Sequence, residues 1–214
     1  MPPHNLTMTV IGACMLWVGW FGFNAGSAVA ADGTAGMAML VTHIGAATGS
    51  LAWMLCEWIK FGKPSVLGIV TGMVAGLGTI TPASGFAGPL GALVIGGLAG
   101  VVCFACTNYM KRALKIDDSL DVFPVHGVGG IIGTILTGIF VSATFGGAGL
   151  PDGKSMSDQL LVQFTGVIVV GLWSGVLTLV LLKVTNALTG LKANAEEETE
   201  GLDTVLHNER GYNL

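Results

Sequence analysis

Six apolar stretches, each close to or above the length that crosses a bilayer core, constrain this 214-residue chain more than any other feature. They cover residues 8–30, 35–56, 65–81, 87–109, 122–145 and 159–182. Over the whole chain 52% of the residues are hydrophobic and only 10% are charged, which excludes an ordinary water-soluble domain. The pattern predicts an all-α membrane protein with six transmembrane helices.

The basic residues predict how these spans are oriented, because cytosolic loops retain Lys and Arg. The first stretch has no basic residue before it and contains large aromatic residues, so it is predicted to span rather than to be a signal peptide. Eight of the nine basic residues then fall on one side: Lys60, Lys63, Lys111, Arg112, Lys115, Lys183, Lys192 and Arg210. Only Lys154 falls on the other side. Both termini are therefore predicted to be cytosolic.

The composition changes after Leu191. Residues 196–200 read Glu-Glu-Glu-Thr-Glu, which is typical of a solvated tail. We therefore expect a transmembrane domain over residues 1–190 and a cytosolic acidic tail over residues 191–214.

Many glycines within the spans are four residues apart, which lets helix backbones approach closely in a membrane. They are Gly22/Gly26, Gly68/Gly72/Gly76, Gly96/Gly100 and Gly129/Gly133. This spacing predicts a tightly packed helix bundle.

His126 is a titratable side chain near the start of the fifth span, with no charged residue inside that span. Hydrocarbon disfavours a charged imidazole, so we expect a neutral ring that offers one donor and one acceptor. Ionisable residues inside a membrane are functional candidates by default. The alternative is a structural histidine that is hydrogen-bonded to a neighbouring helix.

A second candidate lies on the first span, where four side chains fall on one helical stripe at spacings of four, three and four: Leu16, Trp20, Phe23 and Ser27. Aromatic faces attract cations and a hydroxyl accepts hydrogen bonds, so the stripe is suited to a small cation. The alternative is an aromatic belt at the membrane interface.

Three carboxylates precede the fifth span: Asp117, Asp118 and Asp121. Two interpretations remain open. They cap the helix that follows, or they line a water-filled cavity that enters from the cytosol.

Other classes of site have little support. The pair Cys103 and Cys106 has no His or carboxylate beside it, which argues against a metal or redox site. Residues 148–155 (AGLPDGKS) lack the first glycine of a phosphate-binding loop. No nucleophile lies beside a base. We therefore predict no enzyme activity, no cofactor, no metal and no nucleic-acid partner.

Several segments resemble the ammonium transporters of the Amt/Mep/Rh family. They occur in family order from about Pro3 to Tyr212: residues 3–6 (PHNL), 19–27 (GWFGFNAGS), 80–83 (ITPA), 117–123 (DDSLDVF), 125–130 (VHGVGG) and 200–203 (EGLD). The resemblance implies a homotrimer in a lipid bilayer, expected to be a prokaryotic inner or plasma membrane, that serves nitrogen assimilation. Each protomer would enclose a narrow apolar pore between two inverted repeats.

The resemblance also implies residue roles. Ammonium would be recruited at an outer vestibule, deprotonated, and passed as ammonia along a path lined by two facing histidines. Ser27 resembles the vestibule hydroxyl and Phe23 an aromatic gate. Trp20, Leu16 and Val122 resemble pore-lining residues, and His126 the second histidine of the pair. Asp117, Asp118 and Asp121 would lie at the cytosolic mouth, and the tail would dock a PII-type regulatory protein.

The chain also departs from the family pattern. It begins where the sixth family helix begins, so we expect it to be the second repeat plus the last helix and tail, a fragment of a full-length transporter. The other pore histidine is then missing, and His43 lies at a position that the pattern does not assign to the pore. Pro124 replaces a glycine found in many relatives, and residues 207–212 (HNERGY) differ from the usual tail.

Two functions therefore remain open. The chain is a component of an ammonium transporter, or it is a non-conducting sensing or interaction subunit that acts through its tail. Loss of flux after His126→Ala would favour the first. An effect of tail deletion after Lys192 on another transporter, with none from His126→Ala, would favour the second.

Overall fold

The computed structural model describes residues 3–211. Tyr212, where the resemblance in the tail ends, lies outside this range. Over residues 3–211 the chain forms eight α-helices and no strand: α1 Leu6–Gly26, α2 Gly33–Phe61, α3 Val66–Ile80, α4 Pro89–Tyr109, α5 Gly129–Phe140, α6 Met156–Leu188, α7 Ala195–Glu200 and α8 Leu202–His207. Short helical turns extend α3 through Thr81–Ala83 and α4 through Met110–Leu114, and a π-helical turn at Phe123–Val128 leads into α5.

Helices α1 to α6, with their extensions, are long and apolar enough to cross a membrane. The predicted all-α fold with six spans is therefore confirmed for the part of the chain that the structure describes. The boundaries differ where local geometry ends a helix. The first span stops at Gly26, and Val29 adopts a left-handed φ of 53° that helical backbone does not allow. The fifth stops at Phe140, shortly before the extended backbone of Ser142.

The chain divides into two compact units, one up to Val167 and one from Ile168 onward. In the first unit α2, α3 and α4 pack against one another and supply most of the buried side chains. Val41, Ile80 and Ile95 form the centre of one apolar cluster, and Trp53 and Cys103 belong to another. This packing provides the rigid support for α1 and for the turn that carries His126.

Close backbone contact at glycines explains the tight packing. A Cβ atom at Gly76 would overlap the Gly45 carbonyl oxygen of α2, and one at Gly133 would overlap the Thr79 carbonyl oxygen of α3. The glycine sets on α3, α4 and α5 therefore lie at helix contacts, as the spacing predicts. Gly22 and Gly26 differ, because no atom of residues 3–211 outside the neighbouring backbone of their own helix lies within 4 Å of the position that their Cβ would take.

The second unit contains the later part of α6 and two short tail helices. No residue of α6 is buried. The segment predicted as a solvated tail forms α7 and α8. Asn194 and Glu197 form a reciprocal capping box at the start of α7, which explains why this acidic segment is helical.

Candidate functional site

The stripe on α1 lines an open apolar groove of about 480 Å³. Leu16, Trp20 and Phe23 contribute its side chains together with Met15, and glycines leave the space between them. Leu16 is 53% exposed and Phe23 60% exposed. The groove is thus open on one side, and no residue within the described part of the chain covers it.

Trp20 is held in a fixed orientation. Its indole Nε1 donates a 2.7 Å hydrogen bond to the Thr81 hydroxyl, which itself donates to the Leu77 carbonyl at 2.8 Å. The Phe23 and Trp20 rings meet edge to face, with a centroid distance of 6.0 Å and an interplanar angle of 87°. An interfacial belt residue would direct its N–H towards the headgroups, whereas Trp20 directs it into the protein.

A second cavity of about 340 Å³ adjoins the groove at Phe23. Asn24 lines it from α1 and Ser27 from the position that follows α1, and Thr81 and Ser84 line it from the end of α3. The Ser27 hydroxyl donates to the Phe23 carbonyl oxygen at 2.6 Å, so its oxygen remains available as an acceptor. This cavity, called the cup below, therefore combines an aromatic ring with hydroxyl oxygens.

The cup is attached rigidly to α2. The buried side chain of Asn24 donates to the Thr42 hydroxyl at 2.9 Å, and Thr42 donates to the Ala38 carbonyl oxygen. A buried amide that is hydrogen-bonded in this way fixes the rotation of α1 relative to α2.

His126 lies in the π-helical turn and is exposed. Pro124 has no N–H to donate, and the next amide, from Val125, bonds to the Asp121 carbonyl oxygen at 3.0 Å. A Cβ atom placed on Gly78 of α3 would lie 3.8 Å from His126 Nδ1. The ring makes no hydrogen bond to another residue between positions 3 and 211, which argues against a histidine anchored to a neighbouring helix.

One face of α3 brings the two candidate regions together. Gly78, beside His126, and Thr81, bonded to Trp20, are three residues apart and so lie on the same side of the helix. Sequence reasoning did not assign a role to either residue. Thr81 belongs to a segment that matches the family, whereas nothing in the sequence distinguishes Gly78 from the other glycines.

The three aspartates have different partners. The Asp118 carboxylate accepts hydrogen bonds from the amides of Val122 and Phe123, both at 2.9 Å, so Asp118 caps the helix that carries His126. Asp117 accepts a bond from the Ser119 hydroxyl at 3.2 Å. Asp121 is only 16% exposed, pairs with Lys111 at 2.7 Å and has a left-handed φ of 56°. The side chain of Val122 is 52% exposed beside this segment.

His43 lies apart from the groove. Its ring packs 5.2 Å from Trp17 and 6.1 Å from Phe21, measured between centroids, and neither aromatic residue lines the groove. Cys103 is buried and Cys106 half-buried, both as free thiols. Among residues 3–211 no group of three or more His, Cys, Asp or Glu side chains is arranged to hold a metal ion.

Six apolar spans define the class of protein, a polytopic α-helical membrane protein, and the first of them carries an open apolar groove. The sequence profile described as Ammonium Transporter Family matches residues 1–212. The chain belongs to the ammonium transporter family, which is a family of transporters and not of enzymes.

Individual relatives agree with this assignment. An ammonium transporter of Aquifex aeolicus is 47% identical over 213 residues, covering 99% of this chain and 50% of that protein. An ammonium transporter of Bacillus subtilis is 41% identical over 212 residues, covering 98% of this chain and 52% of that protein. The chain thus spans about half the length of the curated relatives it matches.

Solved structures show the same fold. A structure described as Sensor Amt Protein superposes with a TM-score of 0.86 at 32% identity, covering 94% of this chain and 49% of that one. Saccharomyces cerevisiae Mep2 superposes with a TM-score of 0.79 at 37% identity, covering 89% of this chain and 48% of that one.

Proposed function

We propose that this chain forms one wall of a pore that moves ammonium, or the ammonia derived from it, across a membrane. One observation carries the proposal. Leu16, Trp20 and Phe23 line a continuous apolar groove that meets the cup of Ser27 at Phe23, and His126 lies beside the same face of α3 that holds Trp20.

The chemistry of the two cavities fits the two forms of the substrate. In the cup, the Phe23 ring attracts a small cation by about 0.5–2 kcal/mol, and the Ser27 oxygen accepts a hydrogen bond from it. The groove offers almost no polar atoms, so a bare cation would lose its hydration there without compensation, whereas neutral ammonia loses much less. The cup thus suits ammonium and the groove suits ammonia, so ammonium must release its proton to solvent at the cup before ammonia enters the groove.

His126 would meet ammonia beyond the groove. A neutral imidazole offers one nitrogen as a donor and the other as an acceptor, and both suit ammonia. Val122, exposed at the start of the same turn, would continue the apolar lining. We assign Phe23 as the gate between the cup and the groove, and Asp117, Asp118 and Asp121 to the cytosolic mouth.

A closed pore requires further residues on the open side of the groove. We propose that the chain corresponds to the C-terminal half of the family fold, from the sixth helix through the tail, and that the facing repeat supplies the other wall and the other histidine. The order of the matching segments and the coverage of 50% of the Aquifex aeolicus relative support this correspondence.

The remaining assignments follow the same proposal. Residues 1–190 form the transmembrane domain and residues 191–214 the cytosolic tail. The basic residues support cytosolic termini, and the bacterial relatives support a prokaryotic inner or plasma membrane. The complete pore would assemble as a homotrimer, and the tail would be the docking segment for a PII-type regulator.

Uptake of labelled methylammonium into proteoliposomes tests the function. The chain is assembled with the half of the Aquifex aeolicus relative that it does not match. Gly19 lines the groove and Gly22 does not, although both lie on α1 with open space beside them. Gly19→Phe should abolish uptake, and Gly22→Phe should retain it. Full uptake by an assembled Gly19→Phe pore would contradict the proposed path.

The second candidate is a sensing subunit that acts through the tail. The likeness to the structure described as Sensor Amt Protein favours it. In cells that contain an intact ammonium transporter, deletion after Lys192 would then change that transporter's activity, whereas His126→Ala would not. Loss of methylammonium uptake by the assembled pore after His126→Ala, with uptake retained after deletion of the tail, would instead favour transport.

A further inference from the structure

Three aromatic rings form a connected series where α2 and α4 end. Trp53 and Phe104 meet edge to face with centroids 5.5 Å apart, and Phe104 and Phe61 meet with centroids 6.0 Å apart. Trp53 and Phe104 are only 4% and 7% exposed, whereas Phe61 is 43% exposed. Two buried rings therefore hold a third ring in a fixed position at the surface.

Two cations lie against these rings. Lys60 Nζ is 5.3 Å from the Phe104 centroid and 5.6 Å from the Phe61 centroid. The guanidinium carbon of Arg112 is 5.2 Å from the Phe61 centroid. Cation–π attraction therefore holds two positive side chains at one ring, although their charges repel each other.

Neither cation has a carboxylate partner in the part of the chain that the structure describes, where Lys111 and Asp121 form the ion pair. The nearest acidic residue along α2 is engaged elsewhere, because Glu57 accepts bonds from the Ser65 amide at 2.7 Å and from the Ser65 hydroxyl at 3.1 Å. Lys60 and Arg112 thus form an electropositive pair whose charge an external anion can balance by binding to both side chains.

The position of the pair indicates the source of that anion. Gly62 ends α2 directly after Phe61, and both α2 and the extended α4 are long and apolar enough to cross a membrane, so we place the pair near a membrane boundary. Ile59 is 86% exposed beside it, and Tyr109 is 59% exposed one turn before Arg112. An exposed isoleucine suits acyl chains, and basic side chains near a helix end extend towards headgroups.

We propose that Lys60 and Arg112, supported by Phe61 and Phe104, bind the phosphate headgroup of an anionic phospholipid. The apolar surface at Ile59 would receive its acyl chains. The site is separate from the groove, so the proposal stands whether or not the chain conducts ammonium.

Native mass spectrometry of the delipidated chain in detergent tests the site, with phosphatidylglycerol as the probe and phosphatidylcholine as the zwitterionic comparison. Each of the two cations would make a charge-assisted hydrogen bond to the phosphate, so at about 1 kcal/mol for each lost contact the double variant K60Q/R112Q should bind phosphatidylglycerol about 30-fold more weakly. Phe61→Leu keeps both charges and should weaken binding only about threefold, by the loss of one ring face.

The matched control is K63Q/K115Q, which removes the same charge from residues that do not contact the rings. Its affinity should stay within about threefold of the parent chain, because exposed charges that do not contact the phosphate act only through solvent and are screened by salt. Equal losses of affinity for phosphatidylglycerol in both double variants would show that general surface charge binds the lipid, and this would overturn the proposal. Equal affinity for the two lipids, or competition by inorganic phosphate as strong as that by phosphatidylglycerol, would also overturn it.

Discussion

The indole Nε1 of Trp20 donates a 2.7 Å hydrogen bond to the hydroxyl of Thr81, 61 residues further along the chain. This bond joins the groove on α1 to the end of α3, one turn from the position where Gly78 meets His126. This contact connects the stripe on α1 with the region of His126, which are separate in the sequence, and so supports one proposed path.

Replacement of Thr81 tests this contact. Thr81→Val keeps the shape of the side chain but leaves the Trp20 N–H unpaired, which should lower the free energy of unfolding by about 1–3 kcal/mol. Unfolding in mixed detergent micelles measures it. Thr71→Val is the control, because Thr71 bonds only to the Leu67 carbonyl of its own helix. Equal losses in the two variants would show that the Trp20 bond adds no stability.

The glycine contacts between α2 and α3 predict a large effect from one methyl group. Gly76→Ala would place Cβ against the Gly45 carbonyl oxygen, so the helices must separate, at a cost of about 1–3 kcal/mol. Gly97→Ala on α4 has open space and should instead stabilise the chain by up to about 1 kcal/mol through helix propensity. The same unfolding assay compares them. A neutral Gly76→Ala would contradict the close helix contact.

Asp118 is predicted to stabilise the turn that carries His126. Asp118→Ala removes the acceptor for two backbone amides and should cost about 1 kcal/mol, and hydrogen exchange should accelerate at Val122 and Phe123. Asp117→Ala, which removes a bond to the Ser119 hydroxyl only, is the control. Unchanged exchange after Asp118→Ala would show that the cap is not needed.

The fold was largely predictable because the length and hydrophobicity of the spans leave few alternatives in a membrane. The ends of the spans were less predictable, since they depend on single backbone conformations such as the left-handed Val29. The π-helical turn before α5 was also not predicted. The capping box formed by Asn194 and Glu197 could have been recognised from its spacing, and it would have indicated helix in the tail.

The candidate site was predictable only in part. Helical spacing was enough to place Leu16, Trp20 and Phe23 on one stripe. Their partners could not be found in this way, because the Thr81 hydroxyl is brought to Trp20 by the packing of α1 against α3. Gly78 is identified only by the packing, because its Cβ position lies 3.8 Å from His126 Nδ1.

The role of His126 in transport is the central claim, and one comparison of two histidines tests it most directly. His126→Ala and His43→Ala are assembled with the half of the Aquifex aeolicus relative that this chain does not match, and methylammonium uptake is measured at equal protein incorporation. Both residues lie on spans, but His43 packs against Trp17 and Phe21 away from the groove. We predict that His126→Ala abolishes uptake and that His43→Ala retains most of it. Full uptake with His126→Ala, or equal losses in both variants, would contradict the proposed path.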